Sequence, residues 1–269
     1  MGRIDGAVIG DESFFDTLRG GPDSAYLPDG DLGGWLSALS WRHGRAGAGG
    51  ATGPARAAAA RLGALLKQRQ IVYARKPRSG ALLATPGAAA VDALASVASP
   101  AMRDLIAATN IPSENFYAEM LVKALGAQFG ADGSTTAGLA VVGSALDDFG
   151  VHPLLADGSG LSRADRTTAR ELVRLLVRMD ALETATTWRA SLPVAGRTGT
   201  LRKRMRATAA AGRCAAKTGT LIGVSALSGY CTTTGGVRLA FSFVENRVCT
   251  SCAKRIEDRM VSVLARLDG

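Results

Sequence analysis

Aromatic side chains are scarce: seven Phe, four Tyr and three Trp make up 5% of the 269 residues. No cluster of them alternates with basic residues, as a groove that stacks single-stranded nucleic acid requires, so no nucleic-acid partner is expected. Histidine is scarcer still, with His43 and His152 alone. His43 lies in SWRHGR, read as a solvated turn, and His152 precedes Pro153, where it satisfies a loop. The G-x-S-x-G elbow is missing as well, so nothing in the residues points to a serine activated through histidine. The four cysteines, Cys214, Cys231, Cys249 and Cys252, all fall in the last quarter. Cys249 and Cys252 form a lone C-x-x-C without a second pair or a nearby histidine, so neither a metal nor another cofactor is implied. An even count suits one or two disulfides in an exported protein and leaves their pairing open. No apolar run is long enough to span a membrane, and MGRIDGAVIGDESFF carries an acid at position 5 and no stretch that would serve as a signal peptide.

What is present suits a globular protein. With 47% apolar and 20% charged residues the chain is far from the disordered class, and its length supports one large domain or a domain and a half. The net charge of +9 is carried mostly by arginines spread along the chain. Dispersed arginine fits contact with an acidic polymer and equally an Arg- and Ala-rich composition. A basic polyanion-binding module, the reading that rests on charge alone, would bind nucleic acid with a steep salt dependence.

Two regions are expected. Residues 1–98 hold a short strand at GAVIG, the turn-rich GGPDSAYLPDGDLGG, a flexible loop at RAGAGGATGPA, a helix at RAAAARLGALLKQR and a strand at QIVYAR. From Ser99 the pattern is mostly helical. Ser99 is read as the N-cap of AMRDLIAATN, with Pro100 at the first helical position. NFYAEMLVKALGAQFG places Phe116, Met120, Leu121 and Leu125 on one face. STTAGLAVVGSALDDFG is capped by Ser134, and Ser162 with Asp165 makes a capping box ahead of RADRTTARELVRLLVRM. The tail reads as strands, CAAKTG, VSALSGYCTT and VRLAFSFVEN, the last two joined through Thr234-Gly235-Gly236 as a hairpin. SCAKRIEDRMVSVLARL closes the chain as an amphipathic helix with Ile256, Met260, Val263, Leu264 and Leu267 inward. The fold class is therefore α+β, an antiparallel sheet with helices packed on it.

The chemistry gathers in two triplets. Lys217-Thr218-Gly219 occurs by chance roughly one time in twenty in a chain of this length, but it precedes a hairpin and so lies on a strand, where Lys217 projects a point charge. A peptide ending in a free carboxylate needs a cation and hydroxyl donors, which Lys217, Thr218 and Thr220 supply. Gly219 admits a substrate backbone, and the backbone N–H just beyond it suits a developing oxyanion. Upstream lies Ser113-Glu114-Asn115, an S-x-N. As plain structure Ser113 is the N-cap of ENFYAEML; as chemistry it relays a proton while Asn115 holds a substrate amide. Ser159 in DGSGLS shapes a tight turn, with Gly158 and Gly160 at unusual backbone angles. RTGTL at Arg197 to Leu201 echoes KTGTL and is read as a loop covering the end of that strand.

The ordered set resembles the penicillin-binding D-Ala-D-Ala carboxypeptidase/endopeptidase family. SENFYAEMLVKALG, DGSGLSR, RTGTLRKRM and AAKTGTLIGVSALSGY look like its successive signature blocks across residues 99–269, and GAVIGDESFF resembles a segment of its accessory region. The resemblance implies a β-lactamase/transpeptidase-like catalytic domain over 99–269, incomplete at the N-terminus, and part of a small accessory domain over 1–98. It implies an acyl-serine hydrolase that removes a terminal D-alanine or cuts a D-amino-acid cross-link. Its partners would be peptidoglycan stem peptides and β-lactam antibiotics, and its location extracytoplasmic. The site residues carried over are Ser113, Asn115 and Lys217 as catalytic, and Thr218, Gly219 and Thr220 as substrate-binding.

The family's nucleophile belongs to an S-x-x-K near the start of the mature enzyme, its Lys drawing the serine's proton. The one match here, Ser251-Cys252-Ala253-Lys254, opens the C-terminal helix, where Ser251 is read as the N-cap. The expectation is therefore a carboxypeptidase whose nucleophile, with its export signal, lies before residue 1. The alternative is a non-catalytic protein that binds wall peptides without cutting them.

Overall fold

The computed structural model describes residues 2–45, 53–81 and 92–268. The loop expected at RAGAGGATGPA falls largely on 46–52, outside the described residues. The chain divides into two compact units, one of Met1–Ala98, Ala118–Val142 and Ala156–Ser162, the other of Ser99–Tyr117, Gly143–Leu155 and Arg163–Gly269.

In the first unit GAVIG lies inside β1 (Gly2–Gly10), and QIVYAR enters β2 (Ile71–Ser79). The two pair in parallel, a register that needs a crossover, and α1 (Pro54–Gln68) supplies it. Besides Pro54 at its start, the buried positions of α1 are Ala55, Ala59 and Gly63, four residues apart on one helix face, and such small side chains let helix and strands approach closely.

The helices that follow are α2 (Met102–Asn110), α3 (Asn115–Phe129) and α4 (Thr135–Asp147). Ser134 caps α4 as expected, its Oγ accepting from the Ala137 N–H at 3.1 Å. Ser99 does not cap α2: the backbone stays extended through Ala101, and the Ser99 hydroxyl donates to the Pro100 carbonyl instead. The buried face of α3 also differs from the hydrophobic pattern. Phe116, Val122 and Gly126 are buried beside Glu119 and Lys123, while Met120, Leu121 and Leu125 are half-buried. Both side chains find partners within the first unit, Glu119 through one of its two carboxylate oxygens. Glu119 accepts from the N–H groups of Gly158 and Ser159, burial pushing its carboxyl pKa up, and Lys123 donates to Asp16 at 2.6 Å. Glu119 thus holds the DGSG turn. Gly160 there has φ +77°, whereas Gly158 is a steric requirement, since a Cβ would stand 2.5 Å from Val122 Cγ2.

In the second unit α5 (Ala169–Asp180) starts at a capping box formed by Thr168 and Glu171, six residues beyond the expected one. Ser162, the expected cap, donates instead to Asp23 within the first unit. After α6 (Ala185–Ala190) come β3 (Cys214–Leu221), β4 (Val224–Thr232) and β5 (Arg238–Asn246), an antiparallel sheet in that order, and then α7 (Thr250–Leu264). Directly opposed residues share a face. Cys214, Ala216, Leu227, Cys231 and Phe241 form one buried face with Val261 of α7 and Ala265 beyond it; Ala215, Tyr230 and Ala240 form the other with Leu176 of α5. The sheet is therefore covered by helices on both faces, and Cys214 and Cys231, opposed across β3 and β4, are joined as a disulfide.

The inward face of α7 is turned from the one expected: Ala253, Glu257 and Val261 are buried, while Ile256, Val263 and Leu267 are exposed. The cause is again a buried charge. Glu257 accepts from Ser225 of β4 at 2.6 Å and from Arg204 at 2.7 Å, so an acidic side chain occupies a core position that hydrophobicity alone assigns to its neighbours. Cys249, joined to Cys252, is the N-cap of α7, its sulfur accepting from the Cys252 N–H. Ser251 lies inside the first turn, which removes its reading as the cap.

Candidate active site

The sequence-predicted site residues all lie in the second unit. The strand β3 is an edge strand, paired with β4 on one side. Its other edge is met at its start by residues 193–195: the Ala195 N–H donates to the Cys214 carbonyl and the Ala216 N–H to the Pro193 carbonyl. In an antiparallel ladder each residue sends its N–H and C=O to one side, alternating along the strand. Residues 214 and 216 bond outward, so Thr218 and Thr220 direct their backbone groups to the same outer edge, beyond the reach of the 193–195 segment.

Lys217 lies on the face shared with Ser228 and Ser242, whose hydroxyls are 2.8 Å apart. Its ammonium reaches the outer edge, donating to the Thr218 carbonyl at 2.8 Å and to Ser113 Oγ at 2.6 Å. Burial holds the Lys217 pKa down at about 8, against an ordinary 10.5. A charge kept partly desolvated, with two neutral oxygens as partners, retains attraction for an incoming anion.

Ser113 sits in the connection between α2 and α3 with φ +64°, a left-handed conformation that costs a non-glycine residue energy. It is therefore not an N-cap, which needs an extended backbone. The connection is set by the Ser113 N–H bonding to the Asn110 carbonyl and the Glu114 N–H to the Thr109 carbonyl, and Asn110 is tied by its side chain to Ser191. That strained turn carries the Ser113 hydroxyl to Lys217. Asn115 begins α3 two residues on and is half-buried. Gly219 is opposite Ala226, where an added Cβ would stand 3.3 Å from the Ala226 Cβ; Thr220 is exposed.

RTGTL does lie against the KTG strand. The Thr218 hydroxyl donates to Thr200 Oγ1 at 2.9 Å, and the Thr200 N–H donates to the Ile111 carbonyl at 3.3 Å. Gly199 has φ +52°, and a Cβ there would fall 2.1 Å from the Ile111 carbonyl oxygen. Thr200 is the residue that motif reasoning passed over; its only signal was the echo between RTGTL and KTGTL. His43 and His152 take no part in this site: His152 pairs with Asp147 at 2.8 Å, and the His43 ring contacts the Gly33 carbonyl at 3.4 Å in the first unit. Among the described residues no group of His, Cys, Asp and Glu is arranged to hold a metal, and no helix is long and apolar enough to cross a membrane.

A family model described as D-Ala-D-Ala carboxypeptidase 3 (S13) matches residues 55–267. A D-alanyl-D-alanine carboxypeptidase of Actinomadura sp. (strain R39) is 46% identical over 165 residues, covering 58% of this chain and 30% of that protein. A penicillin-sensitive carboxypeptidase A of Dictyostelium discoideum is 33% identical over 139 residues, 49% of this chain and 27% of that one. The match thus spans under a third of each curated relative. Penicillin binding protein 4 of Haemophilus influenzae, crystallised with a β-lactam, superposes with a TM-score of 0.68 at 24% identity, over 79% of this chain and 52% of that one. A predatory endopeptidase of Bdellovibrio bacteriovorus, solved with an immunity protein, gives 0.56 at 18% identity, over 78% and 56%. These structures share the fold of the chain.

Proposed function

The chain belongs to the D-Ala-D-Ala carboxypeptidase 3 (S13) family, and on that premise we propose that it serves in serine-type D-alanyl-D-alanine carboxypeptidase chemistry on peptidoglycan peptides, outside the cytoplasmic membrane. The observation that carries the reading is the 2.6 Å bond from Lys217 to Ser113, which joins the two triplets that the sequence singled out.

The reaction exchanges a peptide bond for an ester to a serine and then hydrolyses the ester, splitting one difficult step into two. Lys217 draws the C-terminal carboxylate of the peptide to the outer edge of β3, where Thr220 supplies a hydroxyl donor and Thr218 lines the position, its own proton turned to Thr200. The peptide lies along that edge, where the outward backbone groups of Thr218 and Thr220 give it a strand to pair with. As the scissile carbonyl becomes tetrahedral, the Thr220 N–H stabilises the oxyanion. Ser113, hydrogen-bonded to a lysine whose lowered pKa brings it near neutrality, passes a proton to the departing D-alanine nitrogen. Asn115 holds the substrate amide.

The serine that is acylated belongs, in the family plan, to an S-x-x-K. Its match within these residues, Ser251 to Lys254, lies on α7, with the Ser251 hydroxyl against Cys249; we assign no acyl transfer to it. Incubation with a labelled penicillin followed by mass spectrometry tests the proposal. A stoichiometric adduct on one serine, blocked by a D-Ala-D-Ala peptide, identifies the nucleophile. Peptide binding without an adduct limits this chain to the anchoring half of the site. The absence of both adduct and binding would contradict the reading.

A further inference from the structure

Resting on that reading, we propose that Thr200, outside both triplets, is a binding residue for the terminal carboxylate of the peptide, reached through the Thr218 hydroxyl. A threonine hydroxyl has one proton to donate. In this structure the Thr218 proton is directed at Thr200 Oγ1, at 2.9 Å, so Thr218 faces an incoming carboxylate as an acceptor. The Thr200 proton is the one that remains for an anion, and Thr200 is exposed where Thr218 is half-buried. A hydroxyl that already accepts a bond is polarised and donates more strongly, so the two threonines act as a short relay that ends at Thr200.

The position is prepared for this. The Thr200 N–H is fixed on the Ile111 carbonyl, and the Gly196 N–H bonds to the Leu201 carbonyl at 3.0 Å. Leu201 is fully buried in the core under the sheet. The backbone on both sides of Thr200 is thus held, and its branched side chain has few rotamers to lose when a ligand binds. Because Ile111 lies two residues before Ser113, the same turn keeps the Ser113 hydroxyl, the Lys217 ammonium and the Thr200 hydroxyl in one register along the edge of β3.

The test is calorimetric titration of the protein with acetyl-Lys-D-Ala-D-Ala as the free acid and as its C-terminal amide, for the native chain and for Thr200→Val, Thr200→Ser and Thr218→Val. Thr200→Val is expected to lose about tenfold in affinity for the acid with the amide unchanged, the size of one lost charge-assisted bond. Thr200→Ser keeps the native preference, and Thr218→Val, which leaves the Thr200 donor in place, loses less than Thr200→Val. Native discrimination in Thr200→Val overturns the assignment, as does an equal loss for acid and amide, the result expected if Thr200 only holds the turn. Should Thr200→Val not fold, a native preference lost in Thr218→Val but kept in Thr200→Ala overturns it instead. A native chain that binds neither peptide contradicts the functional reading itself and is told apart from failure at Thr200 alone.

Discussion

Lys217 and Ser113 stand 104 residues apart in sequence and 2.6 Å apart in space, the ammonium of an edge strand donating to a hydroxyl in a left-handed turn between two helices. Each residue alone has an ordinary explanation, an exposed strand lysine and a helix cap. The bond between them removes both explanations, because the lysine is turned into the protein and the serine has the wrong backbone for a cap.

Binding of a D-Ala-D-Ala peptide is expected to weaken as pH rises. The Lys217 pKa is held at about 8 by burial, so the cation is nearly complete at pH 7 and mostly lost at pH 9. Affinity should fall about tenfold across that interval, following the protonated fraction. Titration calorimetry at the two pH values checks it, and an unchanged affinity shows that Lys217 does not anchor the carboxylate.

The same lysine makes stability depend on pH in the opposite sense. Its pKa is depressed on folding, from 10.5 to about 8, so between these values the unfolded chain binds more protons than the folded one. The contribution of Lys217 to stability therefore rises with pH through that window and is flat below it. Urea unfolding from pH 8 to 10.5 should show a shallower rise for Lys217→Met than for the native protein.

Ser113 separates strain from hydrogen bonding. Ser113→Gly relieves a left-handed backbone at the cost of one hydroxyl, whereas Ser113→Ala loses the hydroxyl and keeps the strain. Ser113→Gly should be the more stable of the two by about 1 kcal/mol in denaturant unfolding. Equal stabilities would show that the turn is not strained.

Gly199 is tested by adding one methyl group. A Cβ there would lie 2.1 Å from the Ile111 carbonyl oxygen, at φ +52°. Gly199→Ala should destabilise by about 2 kcal/mol or more, because backbone has to move, and should weaken peptide binding through the displaced Ser113 turn. A melting temperature within a degree of native contradicts the packing described.

Much of this was legible in the residues. KTG before a hairpin announced a strand, and β3 and β4 are that strand and its partner. Ser134 ahead of Thr135 announced a helix start, and the hydroxyl is found on the Ala137 N–H. The faces of α3 and α7 were not legible, because Glu119, Lys123 and Glu257 take core positions, each bonded to a partner distant in sequence: Gly158, Asp16 and Arg204. Hydrophobic periodicity turns such a helix the wrong way. The Thr168 cap lost to Ser162 in the reading for a similar reason: both sequences fit a capping box, and the Ser162 hydroxyl is engaged by Asp23. Thr200 was hidden because its role comes from a contact with Thr218, which no spacing encodes.

The most direct test of the central claim is the heat of binding of a D-Ala-D-Ala peptide to the native protein and to Lys217→Met at pH 7. Saturable binding by the native chain and at least a tenfold loss in the variant are expected. Equal binding by the two, or none by the native chain, would contradict the claim.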